Sequence, residues 1–235
     1  MPSVVIITGG IATRLRPMTV NVPKAMLPIA GKPFIAHQLD LFKKNGLQRV
    51  VICSGYLSKQ IEDFVGDGSR FGLSVSFSVD GKKLLGTGGA VKKALPLLDD
   101  EFFVIYGDSY LNVNFKNVYD YFISQSGLGL MTVFKNLDAW DSSNIVFKDG
   151  HILDYDKAIK TKNMEYIDYG LGILNKTAFE LMNKHEIFDL SELYKKIINM
   201  QKMIGYEVVN RFYEIGSPEG LAETEKYLLS KIKLE

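Results

Sequence analysis

The sequence predicts an α/β fold, in which a mixed, mostly parallel sheet is flanked by helices and carries a small β insertion. In the first half of the chain, short β-branched apolar runs alternate with segments of helical periodicity. Strands separated by single helices pair in parallel, with helices on both faces of the sheet. In the second half, the pattern changes to short strands around turn residues. No internal repeat or linker divides the chain, so we predict one domain over residues 1–235.

The elements of the first half are predicted from apolar runs and from the residues that end them. The predicted strands are "VVIIT", "RVVICSG", "LSVSFSV", "FFVIYGD" and "LGLMTVFKN". The segment "IAHQLDLFKKNG" places Ile35, Leu39 and Phe42 on one helical face and ends at Gly46, a typical helix stop. Ser58 begins a second helix, "SKQIEDFVGDG", and two more helices follow in "GGAVKKALPLL" and "NVYDYFISQSG".

The second half begins with a hairpin signal, "SSNIVFKDGHILDYD", which has a Lys-Asp-Gly turn. Further strands are predicted in "YIDYGLGIL", "GYEVVN" and "RFYEIG". Thr177 with Glu180, and Asp189 with Glu192, have capping-box spacing, which predicts helices over "TAFELMNKH" and "LSELYKKIINM". Ser217 is an expected cap of the last helix, because a proline, which is favoured at the first helical position, follows it.

The bulk composition argues against several classes of partner. The chain has 28 Lys and Arg against 27 Asp and Glu, a formal net charge of +1. Such a near-neutral chain is not typical of proteins that bind nucleic acid or anionic membranes, so we expect neither partner. No apolar run approaches the ~20 residues of a membrane helix, and the N-terminus lacks a signal-peptide pattern. The single cysteine, Cys53, reads as a buried strand residue and fits a reducing compartment, so we expect a cytoplasmic protein.

The stretch "GGIATRLRPMTVNVPKAMLP" combines glycines with cationic side chains directly after the first strand. Ligands of open α/β sheets collect beyond the carboxyl ends of strands, and glycines there let the backbone approach a phosphate. The amides of "GGIAT" form a candidate anion nest, with Arg14, Arg16 and Lys24 as further donors. The pattern matches neither the dinucleotide G-x-G-x-x-G motif nor the Walker A motif. The alternative is a tight strand–helix turn with surface arginines.

Two further segments carry candidate site residues. "VIYGDSYLNV" delivers Gly107 and Asp108 to the carboxyl end of an inner strand, where an aspartate can hold a divalent cation bound to phosphates. The alternative is an aspartate that caps a turn. "KKLLGTGGAVKKAL" places Gly86, Gly88 and Gly89 before a helix. This segment is a second anion nest, bare backbone for a planar base, or a flexible loop.

Taken together, these segments resemble the nucleotidyltransferases that act on sugar 1-phosphates and make NDP-sugars. The family pattern is G-G-x-G-T-R-L-x-P, P-K-x-M/L-x-P, G-T-G/A-x-A and G-D on a strand. The chain has "GGIATRLRP", "PKAML" followed by Pro28, "LGTGGA" and "YGDSY" in that order. The resemblance covers nearly the whole chain and is nearest to the small single-domain members. It implies a Rossmann-like, GT-A-like nucleotidyltransferase domain.

The resemblance also implies a role for each matching position. Arg14 would grip the triphosphate, Lys24 would reach phosphate oxygens, and Asp108 would be the first metal ligand, so these three are the expected catalytic residues. The expected nucleotide-binding residues are Thr8, Gly9, Gly10, Thr13, Leu84, Gly86, Gly89 and Asp108. The expected sugar-phosphate-binding residues are Asn144, Asp156, Lys157 and Gly170.

Two positions depart from the family pattern. Ala12 replaces the usual third glycine, and if its backbone needs a positive φ, alanine costs about 1 kcal/mol. We interpret it as tolerated, because Gly9, Gly10 and Arg14 are intact. Glu214, in "FYEIGSPEG", stands where the family has the aspartate that is the second metal ligand. Its additional methylene requires the metal geometry to adjust.

Two other residues have open interpretations. Asp168 is either a ligand of sugar hydroxyls or a turn residue. Trp140 either shapes the sugar pocket or packs against the insertion, and we favour packing.

The implied reaction transfers a nucleotidyl group from an NTP to a hexose or heptose 1-phosphate and releases pyrophosphate, with GTP and a manno configuration favoured. Mg²⁺, held by Asp108 and Glu214, is the expected cofactor. Two alternatives stay open. One is a cytidylyltransferase that acts on a small non-sugar phosphate such as phosphocholine, and the other is a non-catalytic regulatory protein that binds NDP-sugars. The last helix is a candidate surface for a homo-oligomer.

Overall fold

The structure is a computed structural model that describes residues 1–10, 12–81 and 83–232. The strands are β1 (Val4–Ile7), β2 (Pro28–Ile29), β3 (Lys32–Pro33), β4 (Arg49–Ser54), β5 (Ser74–Val79), β6 (Glu101–Tyr106), β7 (Ser109–Tyr110), β8 (Gly129–Lys135), β9 (Ile145–Lys148), β10 (His151–Tyr155), β11 (Tyr166–Asn175), β12 (Met203–Val208) and β13 (Tyr213–Glu214). The α-helices are α1 (Phe34–Lys44), α2 (Ser58–Val65), α3 (Gly86–Ala94), α4 (Phe115–Ile123), α5 (Leu190–Asn199) and α6 (Pro218–Ile232). Shorter 3₁₀ helices occupy Thr13–Leu15, Lys24–Met26, Ser69–Phe71, Leu95–Leu97 and Lys176–Met182.

The parallel half of the sheet is built around β1. All residues of this strand are buried, as its β-branched sequence predicts. β4 and β6 flank it in parallel, so that Val4 lies opposite Val50 on one side and Phe103 on the other. β5 pairs in parallel with the outer side of β4. The order β5-β4-β1-β6 confirms the parallel pairing predicted for these strands.

The other half of the sheet is mixed, and its order differs from a simple continuation. The full order of the nine-stranded sheet is β5-β4-β1-β6-β11-β8-β12-β10-β9. β11 lies antiparallel between β6 and β8, while β12 is parallel to β8. β8 therefore does not pair with β6, although the repeated strand–helix pattern placed it in the parallel series. The order of neighbouring segments cannot reveal this arrangement, because β11 comes from a later part of the chain and inserts between β6 and β8.

The helices cover both faces of the sheet, which confirms the predicted layering. Val4 and Ile6 of β1 pack into a core with α1, α2 and α4, whereas Val5 and Ile7 pack into a second core with α3 and α5. The alternation follows from the two-residue period of a strand. α6 lies apart and packs on Ile29 and its neighbours through a small third core. Among the described residues, none of the helices has both the length and the apolar composition needed to cross a bilayer.

The smaller elements of the second half match the sequence predictions with one exception. The hairpin of β9 and β10 turns at residues 149–150 and joins the edge of the main sheet through β12. The capping box of α5 forms between Asp189 and Glu192, and Ser217 caps α6 by accepting from the amide of Gly220 at 2.9 Å. The capping box predicted at Thr177 was wrong. This segment is a 3₁₀ helix, and Asn175 caps it instead.

We expect the Phe103→Ala variant to lose about 3–5 kcal/mol of unfolding free energy. The ring is fully buried and packs edge-on against Phe115 with a centroid distance of 5.3 Å, so its removal leaves a cavity. Urea denaturation measures the change. The control is Ile123→Ala on α4, where the side chain is 56% exposed and the change should stay within about 0.5 kcal/mol. Equal losses in both variants would contradict the layered core.

Candidate active site

A cavity of about 640 Å³ opens at the carboxyl end of β6, between the turn after this strand, β11 and the segments that flank the β9–β10 hairpin. This is where open α/β sheets bind their ligands. The predicted site residues that line it are Arg14, Asp108, Asn144, Asp156, Lys157, Gly170 and Glu214. The fold therefore brings together side chains that are up to two hundred positions apart in the sequence.

The carboxylates of Asp108 and Glu214 converge beside Gly216. Asp108 follows β6, and Glu214 ends β13, which pairs with β7 so that Glu214 lies opposite Ser109. A methyl group placed on Gly216 would lie 2.5 Å from Oε2 of Glu214, 3.6 Å from Oδ2 of Asp108 and 3.7 Å from Nη2 of Arg14. Glycine at this position therefore keeps open the space between two acidic groups and one cation.

Lys24 and Gln38 hold Asp108 in place. The ammonium of Lys24, in the 3₁₀ helix Lys24–Met26, forms an ion pair with Oδ2 of Asp108 at 2.6 Å. Gln38, which is fully buried on α1, donates from Nε2 to the carbonyls of Tyr106 and Ser109 at 2.9 and 2.8 Å. These bonds fix the turn on both sides of Asp108. The sequence analysis missed Gln38, because the sequence of an amphipathic helix does not show which backbone carbonyls a glutamine on it will contact.

The two carboxylates fit a hard divalent cation such as Mg²⁺. This ion takes oxygen ligands and is commonly held by one or two carboxylates together with substrate phosphates. Glu214 is oriented for such a role by the amide of Gly216, which donates to Oε2, and by the hydroxyl of Ser217, which donates to Oε1 at 3.0 Å. In the part of the chain that the structure describes, no group of three or more acidic, histidine or cysteine side chains could hold a metal. Phosphate oxygens would have to complete the coordination.

The loop after β1 has the character expected of a phosphate loop. In the described ranges, the amides of Gly9 and Gly10 donate to no backbone acceptor, and a Cβ at Gly10 would meet no atom within 4 Å. Ile11, in the middle of the predicted nest, lies outside the described residues. Thr8 has a structural role, because its hydroxyl and amide both donate to the carbonyl of Cys53, at 2.9 and 2.8 Å. These bonds join the end of β1 to the end of β4.

Ala12 adopts the left-handed conformation, with φ 51° and ψ 50°. The position does require a positive φ, so alanine in place of the family's glycine is strained by about 1 kcal/mol. The hydroxyl of Thr19 and the amide of Leu15 both donate to the carbonyl of Ala12, at 2.8 and 3.2 Å. These contacts hold the strained residue at the start of the 3₁₀ helix that contains Thr13 and Arg14.

A narrow region of bare backbone lies where Gly9 and Gly55 meet, after β1 and β4. A Cβ on Gly55 would lie 2.8 Å from Cδ2 of Leu84 and 3.3 Å from the carbonyl oxygen of Gly9. Asp80, which follows β5, accepts from the amide of Leu85 at 3.1 Å, and burial raises the pKa of its carboxyl group. The sequence analysis missed Gly55 and Asp80, although both directly follow parallel strands, which is the signal that selected Gly9.

The glycines at the start of α3 face protein rather than open space. A Cβ on Gly86 would lie 2.5 Å from the carbonyl oxygen of Phe188, one on Gly88 would overlap the ring of Phe188, and one on Gly89 would overlap the carbonyl of Glu186. The amides of Gly88 and Gly89 donate to the carbonyl of Phe188 at 3.0 and 3.3 Å. The interpretation as a second anion nest was therefore wrong, because these donors are already used. The roles of Gly86 and Gly89 in nucleotide binding stay predictions.

Asp168 and Lys157 form the far wall of the cavity. Burial raises the pKa of Asp168, while the ammonium of Lys157 acts in the opposite direction. Nζ of Lys157 lies 3.4 Å from the hydroxyl of Tyr106 and 5.2 Å from the centre of its ring. Gly170 has φ 97°, its amide donates to Oδ1 of Asp168 at 2.9 Å, and a Cβ there would approach Oγ of Ser109 to 3.3 Å. Asp168 therefore presents a carboxyl group to the cavity from an irregular part of β11.

Asn144 and Asp156 line the cavity, but their polar groups are largely bonded within the protein. Oδ1 of Asn144 accepts from the amide of Asp168 at 3.0 Å, and its carbonyl accepts from the amide of Asp156 at 3.0 Å. Lys195 donates to Oδ2 of Asp156 at 2.6 Å, and the amides of residues 158 and 159 donate to Oδ1 at 2.7 and 3.0 Å. The Lys195 bond, followed by these amides, lowers the pKa of Asp156 to about 2.

Trp140 lies at the rim of the cavity with a cation against its ring. The guanidinium carbon of Arg211 lies 3.5 Å from the centre of the Trp140 ring and 4.7 Å from that of Tyr213. Arg211 also forms an ion pair with Glu223 on α6 at 2.6 Å. Trp140 lines the cavity and is 48% exposed, so it shapes the pocket. It also packs, but against Arg211 and not against the insertion as we favoured from the sequence.

Cations and paired carboxylates around one cavity are typical of proteins that bind and process phosphorylated small molecules. The family model described as nucleotidyl transferase matches residues 3–221, and the chain belongs to this family. The fold class, the enzyme class and the family resemblance predicted from the sequence are thereby confirmed.

Relatives of known activity match the chain over nearly its whole length. The D-glycero-alpha-D-manno-heptose 1-phosphate guanylyltransferase of Aneurinibacillus thermoaerophilus is 29% identical over 230 residues, which cover 95% of this chain and 97% of the relative. The protein of the same name from Campylobacter jejuni is 27% identical, with 92% and 95% covered. The crystal structure of HddC from Yersinia pseudotuberculosis complexed with GMP-PN superposes with a TM-score of 0.80 at 25% identity, covering 97% of this chain and 100% of that one.

We expect the Asp108→Asn variant to lose nucleotidyl transfer by roughly 10²–10⁵-fold while it keeps its fold. The change removes the charge partner of Lys24 and breaks the carboxylate pair with Glu214. Pyrophosphate release measures the rate, and circular dichroism checks the fold. Asp63→Asn is the control, because that carboxylate forms only an exposed ion pair on α2. Normal pyrophosphate release by Asp108→Asn would refute the assignment.

The Ala12→Gly variant should be as stable as the parent or more stable by up to about 1 kcal/mol, because glycine adopts the left-handed conformation without strain. The unfolded chain gains entropy from the glycine, which limits the increase. The same substitution at Ala222, exposed on α6, should instead destabilise by about 1 kcal/mol. Thermal unfolding of the two variants compares them. If both substitutions destabilise equally, residue 12 is not strained.

Proposed function

We propose that the chain transfers a guanylyl group from GTP to a manno-configured heptose or hexose 1-phosphate. The observation that carries the proposal is that Arg14, Lys157 and the carboxylates of Asp108 and Glu214 line the same cavity. Such an arrangement suits two phosphorylated ligands and a cation. Membership of the nucleotidyl transferase family supports the reaction class, and the full-length match to heptose 1-phosphate guanylyltransferases supports the two substrates.

The reaction needs little acid–base chemistry from the protein. An oxygen of the sugar phosphate attacks the α-phosphorus of GTP, the bond between this phosphorus and the bridging oxygen to the β-phosphorus breaks, and pyrophosphate leaves. The attacking oxygen is already anionic at neutral pH, so no general base is required. Positioning and charge stabilisation are the main contributions of such a site.

The cations of the site have distinct positions along the phosphates. Arg14, beside the carboxylate pair, is placed to stabilise the negative charge that grows on the leaving pyrophosphate. Lys24, paired with Asp108, can reach phosphate oxygens at the same point. Lys157 holds the phosphate of the sugar from the far wall. Asp108 and Glu214 would hold Mg²⁺, which when bound neutralises phosphate charge and polarises the phosphorus under attack.

The remaining polar groups of the cavity suit a sugar. Asp168 presents a half-buried carboxyl group there, and such a group accepts hydrogen bonds from hydroxyls. The positive φ of Gly170 places bare backbone in the same wall, which gives a sugar ring close access to β11. The amide nitrogen of Asn144 adds a donor at the rim.

The structure disfavours the phosphocholine alternative. A quaternary ammonium is recognised by the face of an aromatic ring, and Trp140 is the exposed indole of the cavity. The guanidinium of Arg211 already occupies one face of that ring at 3.5 Å, and its charge repels a second cation. The non-catalytic alternative would be supported by loss of Arg14, Lys24 or Asp108, and all three are present.

The expected setting of the enzyme follows from its substrates. GTP and sugar phosphates are cytoplasmic metabolites, so we place the reaction in the cytoplasm, with no nucleic acid or membrane as partner. α6 offers a candidate surface for a homo-oligomer, since its buried apolar contacts with the rest of the chain form only a small core.

A pyrophosphate-release assay with each common NTP and a panel of phosphates tests the proposal. We expect turnover with GTP and a manno-configured heptose or hexose 1-phosphate, and at least tenfold less with CTP and phosphocholine. The Asp108→Asn variant is the background control. Turnover confined to phosphocholine would replace the proposal by the cytidylyltransferase alternative, and GDP-sugar binding without turnover would support a regulatory protein.

A further inference from the structure

The carboxylate of Asp156 holds the turn that carries Lys157, and both of its oxygens accept hydrogen bonds. β10 ends at Tyr155, and Asp156 begins a tight turn in which Oδ1 accepts from the amides of Ala158 and Ile159 at 2.7 and 3.0 Å. An aspartate in this arrangement fixes the backbone of the residues that follow it. Lys157 is the second residue of the turn, so its direction into the cavity depends on this carboxylate.

The other oxygen of Asp156 is held from a helix. Lys195, on α5, donates to Oδ2 at 2.6 Å, and both side chains are partly buried. α5 itself is well anchored. Its capping residue Asp189 accepts from the hydroxyl of Thr87 at 2.9 Å, and Leu193 and its apolar neighbours are buried in the core. Lys195 thus connects the Asp156 turn to a well-anchored helix.

We propose that Lys195 is a positioning residue, which orients the Asp156 turn so that Lys157 points its ammonium at the sugar phosphate. The inference rests on the proposed function for the identity of the ligand. It also changes the role of Asp156, which the family resemblance places among the residues that bind the sugar phosphate. In this chain Asp156 supports the turn, and Asp168 is the carboxyl group that faces the ligand.

The electrostatics support the same role. Without Lys195, the carboxylate of Asp156 would carry an unpaired negative charge one residue away from Lys157. That charge would attract the ammonium of Lys157 and repel an incoming phosphate. With Lys195 in place, the pair is neutral, and Lys157 lies against the uncharged ring and hydroxyl of Tyr106.

The Lys195→Met variant tests the proposal by steady-state kinetics. We expect the KM for the sugar 1-phosphate to rise roughly fivefold, as the loss of an ion pair of about 1 kcal/mol predicts, while the KM for GTP is unchanged. Lys195→Arg, which keeps the charge, should recover most of the difference. Lys196→Met is the matched control. Lys196 is the next residue on α5, and its ammonium donates to the carbonyl of Leu181, away from the cavity.

A second readout does not depend on turnover. Hydrogen exchange of the amides of Ala158 and Ile159 reports the turn directly, since both donate to Asp156. Exchange should be faster in Lys195→Met than in the parent or in Lys196→Met. Lys195→Gln provides a polar replacement if the methionine variant folds poorly.

The outcomes separate the two proposals. If the parent turns over the sugar phosphate but Lys195→Met matches Lys196→Met in KM and in exchange, the positioning role is refuted and the proposed function stands. A KM that falls in Lys195→Met would mean that the released Asp156 binds the sugar, which also refutes it. If the parent shows no turnover on any substrate, the proposed function fails. Amide exchange then decides the role of Lys195 alone: faster exchange in Lys195→Met supports it, and unchanged exchange refutes it.

Discussion

The ion pair between Lys24 and Asp108 is the constraint around which the site is organised. Both side chains are about three-quarters buried, so either charge alone would be costly to desolvate. The pair joins the long loop after β1 to the end of β6, and it does so with groups that ligands can take over. A phosphate can replace the carboxylate as the partner of Lys24, while a cation replaces the ammonium as the partner of Asp108. In the proposed function, binding would exchange partners and leave no charge unpaired.

Strand order places the second half of the site opposite this pair. β11 lies directly beside β6, so its irregular stretch around Asp168 and Gly170 reaches the space beyond Asp108. β13 adds Glu214 through its ladder with β7. The parallel strands therefore supply the loops suited to a nucleotide, and the antiparallel strands supply the wall suited to a sugar. Moving β11 to the edge of the sheet would separate the two.

The sequence predicted the elements better than their arrangement. Periodicity and turn residues are local, so "VVIIT" and the last helix were found, whereas the insertion of β11 between β6 and β8 depends on contacts between distant segments. Motifs located Arg14, Asp108, Lys157 and Glu214 beside one cavity. They could not show that the amides of Gly88 and Gly89 are used by Phe188, because a glycine before a helix serves a ligand and a close packing partner equally well.

α5 connects the two sides of the site. At its start, Asp189 accepts from Thr87 in the first turn of α3, and six residues later Lys195 holds Asp156 in the turn that carries Lys157. The distance between a helix cap and a residue six positions on is fixed by helix geometry, so the start of α3 and the Asp156 turn are held at a fixed separation. Because transfer requires two mutually repelling phosphates to meet in one orientation, this rigid link reduces the misalignment that each part would otherwise contribute.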